Sequence, residues 1–350
     1  MPAVAPPPGA ITRQTILETL LAFKRTSLLR TAIELRLFDA LAGGPYGAAR
    51  VAETVGAPAR AVRVLLTALA AAGLVTEQGA PEHEEFGLVE GAERLLVTTS
   101  PEYAGGAAEV AASQQEWESM GALTETVLAG ATLLDEDADA GSRDFPYWRA
   151  FAVHGTFATR PVTRAVTGAL RPWAADRDEI RLLDVGCGHA LFGLALAQEF
   201  HQARIVGADW GSVLPRAREN AEAMGLADRA SWIAGDVFTE DLKGPYDLVV
   251  LANFLPQYPE EEGTRLLRRL RGVLAPGGRV VAAGFTVGDF GPLPEFGGRM
   301  LSLLLLAWTR GGEVPATAGY LRMFRDAGFT EPEVHDTPGL PSRLFVAGAR

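Results

Sequence analysis

The chain is poor in cysteine and histidine and has no long apolar run. One cysteine, Cys187, in 350 residues rules out an internal disulfide framework and fits a reducing compartment. It lies within a glycine turn, where small size accounts for it better than reactivity does. The five histidines are scattered and, with one cysteine, form no metal-ligand spacing, so no metal is expected. The longest greasy stretch, Met300 to Trp308, falls far short of the ~20 residues of a membrane span. It reads instead as a buried helix and a candidate pocket wall. MPAVAPPPGA (1–10) has neither a basic nor an apolar export region and reads as a disordered leader, so a cytoplasmic protein is expected. Positive charge is also in deficit. A net charge of −11 repels nucleic acid and anionic membranes.

What is present is enough apolar material, 48% of the chain, for two globular domains. Residues 11–42 carry two helical patterns, ILETLLAF and SLLRTAIELRLFDALA, with apolar residues recurring at helical spacing. ARVAETVG and ARAVRVLLTALAAAGLV then read as helix, turn, helix, and TEQGAPEHEEFGLVEGAERLLV as a two-stranded wing. That winged-helix pattern invites a DNA-binding reading. Only Arg60 and Arg63 supply cations on the second helix, however, while the wing bears Glu77, Glu82, Glu84 and Glu85. Phosphate contacts need a basic face, so these helices are read as a dimer interface instead. Residues 106–133 continue as helix, 134–144 form an acidic linker, and the aromatic-rich segment 145–173 leads into a second domain. From about 176 strands alternate with helices, which predicts a parallel sheet covered on both faces. The tail reads helix, strand, strand, an antiparallel edge.

The chemistry concentrates in RLLDVGCGHALFG (181–193), an apolar strand that breaks at Asp184 into the turn of Gly186 and Gly188, with a helix starting near Ala190. Such a turn lets a ligand approach the backbone and exposes helix N–H groups. The dinucleotide pattern G-x-G-x-x-G fails, because Leu191 stands at its third position. An acid just before the first glycine suits a cationic ligand bearing an ammonium and a sulfonium, and S-adenosylmethionine (SAM) is one. ARIVGADW ends a second strand in Asp209, near the ~20-residue offset at which such sheets present a carboxylate to ribose. RASWIAGDVF ends a third in Asp236, placed to accept from an adenine amine. YDLVVLANF and LAPGGRVVAAGF are the fourth and fifth strands.

In that order these pieces resemble the SAM-dependent small-molecule O-methyltransferases, typified by plant caffeate and flavonoid enzymes and bacterial antibiotic-tailoring enzymes. The likeness runs through TAIELRLFDAL, LLTALAAAGLV, LLDVGCGHALFG, GADW, GDVF, LAPGGRVV and YLRMFRDAGF. It implies an α/β chain: a Rossmann-like doubly wound SAM-binding sheet (176–350) after a helical winged-helix dimerisation domain (11–105), with connecting helices (106–175) lining the substrate pocket. It implies that Asp184, Gly186 and Gly188 hold the methionine part, Asp209 the ribose, and Asp236 and Phe238 the adenine. Trp210, Val237 and Asn253 complete the cofactor set. Ala190 replaces a usual third glycine. The family also implies a homodimer whose N-terminal helices interlock. Substrate is expected near Phe145, Tyr147, Trp148, His154, Phe254, Tyr258, Phe285, Met300 and Trp308, whose rings suit a planar acceptor.

One departure bears on mechanism. Phenol-methylating relatives carry a histidine base after the fourth strand, and Pro256 of LANFLPQYPEEE takes its place here. Gly284 and Val314 fall where two acids would orient it. A positioned base contributes roughly 10²–10⁴-fold, whereas in-line alignment alone supplies roughly 7–11 kcal/mol. Methyl transfer to an already nucleophilic acceptor therefore survives the loss. His154 and Tyr258 are the remaining candidates for proton transfer. The expected activity is in-line methylation of a small aromatic or polyketide-like secondary metabolite. The alternative is non-methyl chemistry (cyclisation, hydroxylation or decarboxylation) around bound SAM as a fixed positive charge.

Overall fold

A computed structural model describes residues 11–349 except 82, 136, 144, 156–158 and 292–293. The leader and Glu82 of the wing lie outside the described residues. The chain divides into two compact units, one ending at Ser113 and one beginning at Gln114.

The first unit opens on the helix Arg13–Glu34, where Thr12 Oγ1 accepts from the Thr15 N–H as an N-cap. The two patterns read between 11 and 42 share this one helix. The break falls later, at Arg36, which takes φ +53°, and the short helix Leu37–Leu41 follows. Ala48–Val55 and Ala59–Ala71 form the expected helix pair. β1 (Tyr46–Gly47), β2 (Val75–Gln78) and β3 (Glu85–Leu88) make an antiparallel sheet in the order β1-β3-β2. The wing is thus shorter at its end than the sequence pattern suggests. Gly91 at φ +82° turns the chain, and Ala92–Leu96 is helix. Leu37, Phe38, Leu41, Val51, Leu66, Leu69 and Phe86 form the core, to which the long helix contributes only its final turns. Its earlier face leaves Ile16, Leu17, Leu20 and Leu21 exposed.

The continuous helix expected over 106–133 is interrupted. Ala112 leaves helical geometry at φ −133°, and the helices Gln114–Gly121 and Leu123–Ala129 belong to the second unit. Nor is 134–144 a free linker. Thr132 Oγ1 donates to the Ala307 carbonyl (2.6 Å), the Ala140 N–H to the Trp308 carbonyl (2.8 Å), and Arg310 Nε to Asp139 (3.1 Å). Thr132, just before the segment, and Ala140 within it therefore supply donors to carbonyls that the helix Phe296–Trp308 leaves open at its C-terminus, while Asp139 accepts from Arg310 beyond it.

β4 (Ile180–Val185), β5 (Ala203–Asp209), β6 (Ala230–Ala234), β7 (Tyr246–Ala252), β8 (Leu274–Phe285), β9 (Glu333–Asp336) and β10 (Ser342–Gly348) form one sheet in the order β6-β5-β4-β7-β8-β10-β9. The first five strands are parallel, and β10 runs antiparallel to β8 and β9. Val162, Val166, Leu170 and Leu194 pack on one face, and Leu266, Leu267, Leu270, Tyr320 and Phe324 on the other. Strand order reverses at β4, so a crevice opens between the carboxyl ends of β4 and β7, where doubly wound sheets bind ligands.

Candidate cofactor and acceptor site

Four strand ends bring the expected cofactor residues together. After β4, Gly186 (φ +62°) and Gly188 (φ +53°) adopt the left-handed conformation that favours glycine. A Cβ on Gly188 would meet nothing within 4 Å, so the turn faces open space there. The Gly188 N–H donates to Asp209 Oδ2 (2.7 Å), and the Trp210 N–H to Oδ1 (2.7 Å). The end of β5 is thereby tied to the glycine turn. Asp236 Oδ1 accepts from the Phe238 N–H (2.9 Å), shaping the loop after β6. Val237 differs from its neighbours. Its side chain is buried in the core and its carbonyl takes Arg269 Nε, so the part of it left for a ligand is its backbone N–H.

Asp184 is buried, and its Oδ2 accepts from the Gly193 N–H (3.0 Å). A Cβ at Gly193 would run into Ile205 and come within 2.8 Å of Asp184 Oδ2. Gly193 is thus the residue that lets helix Leu191–Glu199 close onto the sheet. The sequence reading passed over it, although GHALFG displays it. Ala190, by contrast, holds φ +56° at the start of this helix. Glycine is usual there because L-residues pay about 1–2 kcal/mol for that backbone.

Burial pushes Asp184 up to about 8 and Asp209 up to about 6, with Asp209 adding repulsion at Asp184. No cationic group offsets either shift among the described residues. A donor set of uncompensated carboxylates beside an open glycine turn fits a ligand that brings its own positive charge. His189, between the glycines and the helix, serves another end. It is buried, accepts from the Leu191 N–H through Nδ1 (3.0 Å) and bonds the Gly155 backbone; burial pushes it down to about 4. It is a neutral cap on the helix that follows.

The residues expected around the acceptor separate into groups. Phe254, Tyr258 and Phe238 form a row of rings at the cofactor end, with centroids 5.2 and 4.9 Å apart. Burial and then Asp236 and Asp209 push the Tyr258 phenol upward, which favours its protonated form. Phe145, Tyr147, Trp148 and Trp308 make a second cluster, in which Tyr147 and Trp308 lie 4.5 Å apart. Trp308 Nε1 donates to Ser119 Oγ (2.6 Å), Tyr147 OH to Glu116 (3.3 Å), and Trp148 Nε1 to the Ala140 carbonyl (2.8 Å). Phe145, Tyr147 and Trp308 are buried among these partners, which is core packing. Phe285 is half-buried at the end of β8, Met300 is exposed, and His154 ends the helix Tyr147–His154 half-buried, one residue before Gly155.

Pro256 sits buried in the tight turn Leu255–Gln257 after β7. Its Cγ lies 3.9 Å from where a Gly284 Cβ would stand, and that Cβ would collide with the Tyr320 hydroxyl. Tyr320 OH in turn donates to the Phe285 carbonyl (3.3 Å). Positions 256 and 284 are therefore neighbours across the strand ends, and Tyr320 fills the room an acidic side chain would need. Val314 is buried while Glu313, beside it, is exposed.

Comparison with known proteins agrees with this geometry. The family pattern described as a methyltransferase domain matches residues 182–278, from β4 through the start of β8. That described as an O-methyltransferase dimerisation domain matches residues 17–98. The chain belongs to the SAM-dependent O-methyltransferase family. Among its relatives is the 3-hydroxy-5-methyl-1-naphthoate 3-O-methyltransferase of Streptomyces sahachiroi, 27% identical over 88% of this chain and 86% of that one. The tetracenomycin polyketide synthesis 8-O-methyltransferase of Streptomyces glaucescens is 26% identical over 95% of each. Among solved structures, a Nostoc punctiforme protein superimposes with a TM-score of 0.86 at 29% identity, covering 97% of this chain and 99% of that one. PigF, solved with S-adenosylhomocysteine (SAH), superimposes with a TM-score of 0.81 at 25% identity, covering 97% and 100%. This methyltransferase takes SAM as its cofactor, and its N-terminal unit is the family's dimerisation domain. Among the described residues no single helix is long and apolar enough to cross a membrane.

Proposed function

We propose that the chain methylates an oxygen of a small aromatic or polyketide-like secondary metabolite by in-line attack, without a histidine base. The acceptor class is supported by the naphthoate and tetracenomycin substrates in the relatives' names. Absence of a base rests on one observation: Pro256, Gly284 and the Tyr320 hydroxyl pack together where a histidine and its acid would stand.

Bound SAM supplies an electrophilic methyl group on a positively charged sulfur. Asp209 and Asp236 would take hydroxyl and amine donors of the adenosyl part, Trp210 and Phe238 would flank it, and Gly186 and Gly188 would admit the methionine part. Asn253 shapes the adjoining rim. Asp184 would favour the ammonium and sulfonium charges. Tyr258, held protonated, would donate a hydrogen bond. His154, Phe285 and Met300 would border the acceptor, with the Phe145–Trp308 cluster as a fixed wall. With Pro256 in the histidine's place, the acceptor would reach the site already ionised, and His154 is the side chain here that could take its proton instead. Alignment contributes roughly 7–11 kcal/mol, which outweighs the roughly 10²–10⁴-fold (about 3–5 kcal/mol) lost with the base.

The test uses methyl-labelled SAM with a panel of hydroxynaphthoates and phenolic anthraquinones of graded acidity. Label is expected in the product with one SAH per turnover, and the pH midpoint of kcat/KM should track each acceptor's own ionisation. A midpoint near 6.5 that ignores acceptor acidity would restore an enzymatic histidine. Product formed with the label still on the donor would favour the non-methyl alternative. The same reading makes the chain a homodimer built through its N-terminal helices.

A further inference from the structure

The row of rings at the end of β7 carries an inference that rests on the cofactor reading above and goes beyond it. β4 and β7 are paired neighbours, with Leu182, Leu183 and Asp184 opposite Leu248, Val249 and Val250. Strand order reverses beside them, so the crevice past their ends is the place where a ligand enters. Asn253, the first residue after β7, holds φ +55°. Its N–H is fixed to the Ala283 carbonyl (2.7 Å), and its own carbonyl accepts from Gln257 Nε2 (3.3 Å). Asparagine is among the few non-glycine residues that adopt this conformation routinely, so the bend is set by the residue type and by these two hydrogen bonds.

The bend turns Phe254 back across the crevice onto the glycine turn. A Cβ at Gly186 would collide with Cδ2 and Cε2 of the Phe254 ring. Glycine is therefore required at 186 for two independent reasons, its positive φ and the ring that lies against it. Phe254 packs on the core yet stays half-buried, and Tyr258 leans on it at 5.2 Å, with Phe238 beyond. The bend at Asn253 thus sets a half-buried ring against the turn assigned to the methionine part of the donor.

We propose that Phe254 reads the charge of the donor. An aromatic face attracts a cation and has no such attraction for a neutral thioether. The ring therefore favours SAM, which carries a sulfonium, over SAH, which does not, and helps the spent cofactor leave. Asp184 and Asp209 favour positive charge as well, but changes at 254 leave both carboxylates in place, so the contribution of the ring is separable.

Titration calorimetry on ligand-stripped full-length protein tests this with SAM, SAH and sinefungin, whose amine carries the charge without a transferable methyl. Phe254→Leu keeps an apolar side chain and removes the π face. It should weaken SAM and sinefungin roughly five- to thirtyfold while leaving SAH within about twofold, and the retained SAH affinity also reports an intact fold. Phe254→Tyr should restore the preference for the cations. Parallel weakening of SAM and SAH in Phe254→Leu, or no change in either, overturns the proposal. Failure of the underlying cofactor reading looks different: wild-type protein would bind none of the three, or Asp209→Ala would bind all of them as wild type does.

Discussion

His189 illustrates how one residue can be essential to a site without touching chemistry. Buried, it caps the helix Leu191–Glu199 through Nδ1 and bonds the Gly155 backbone, and burial pushes it down to about 4. The unfolded chain takes up this proton near the ordinary value of about 6.5. Between those values the unfolded state holds more protons, so stability is complete above pH ~6.5 and falls as pH drops toward 4. The loss amounts to about 3 kcal/mol. Asp184 and Asp209 act in the opposite sense. Their folded forms keep protons that the unfolded chain releases near pH 4, so they cost stability as pH rises toward 6 and 8. Urea denaturation at pH 4.5, 5.5 and 7 should therefore find a shallower acid limb in His189→Asn than in wild type. Equal slopes would mean that another group governs the acid side.

Among the elements, the helix Phe296–Trp308 separates wall from pocket. Its apolar run was legible as a buried helix, and its C-terminal half is buried through Leu304, Leu305, Ala307 and Trp308. Its first half leaves Phe296 and Met300 exposed. Trp308 combines ring contacts to Phe145 and Tyr147 with a hydrogen bond to Ser119 from the helix Gln114–Gly121. Trp308→Ala should thus cost about 3–5 kcal/mol of unfolding free energy, and Met300→Ala no more than about 0.5. Matched denaturation curves for the two variants check this. A small loss at Trp308 would mean that the cluster is loosely packed and available to an acceptor.

For the whole molecule, the question is what covers the helix Arg13–Glu34. Ile16, Leu17, Leu20 and Leu21 stand between 47% and 63% exposed along one stripe, in the unit that matches the dimerisation-domain pattern. Apolar stripes of this kind mark interaction surfaces. Leu17→Glu with Leu20→Glu should halve the mass seen by light scattering while near-UV spectra stay native. A double variant that keeps the wild-type mass would place the dimer contact elsewhere.

Local chemistry alone settled the sheet's alternation, the strand ends that bear Asp184, Asp209 and Asp236, and the left-handed glycines, because each follows from hydropathy period and backbone sterics within a few residues. The family likeness was legible for the same reason. Contacts between distant segments decided the rest. Tyr147 and Trp308 became core because partners on 114–121 satisfy their polar tips, and Phe145 packs its ring against both. Thr132 and Ala140 became caps of the helix Phe296–Trp308 because Ala307 and Trp308 presented open carbonyls. Phe254 reached Gly186 only because β7 lies beside β4 and Asn253 bends the chain back. Periodicity reports which face of an element is apolar; it carries no record of which distant atoms will meet that face, and those meetings are where burial and charge were settled.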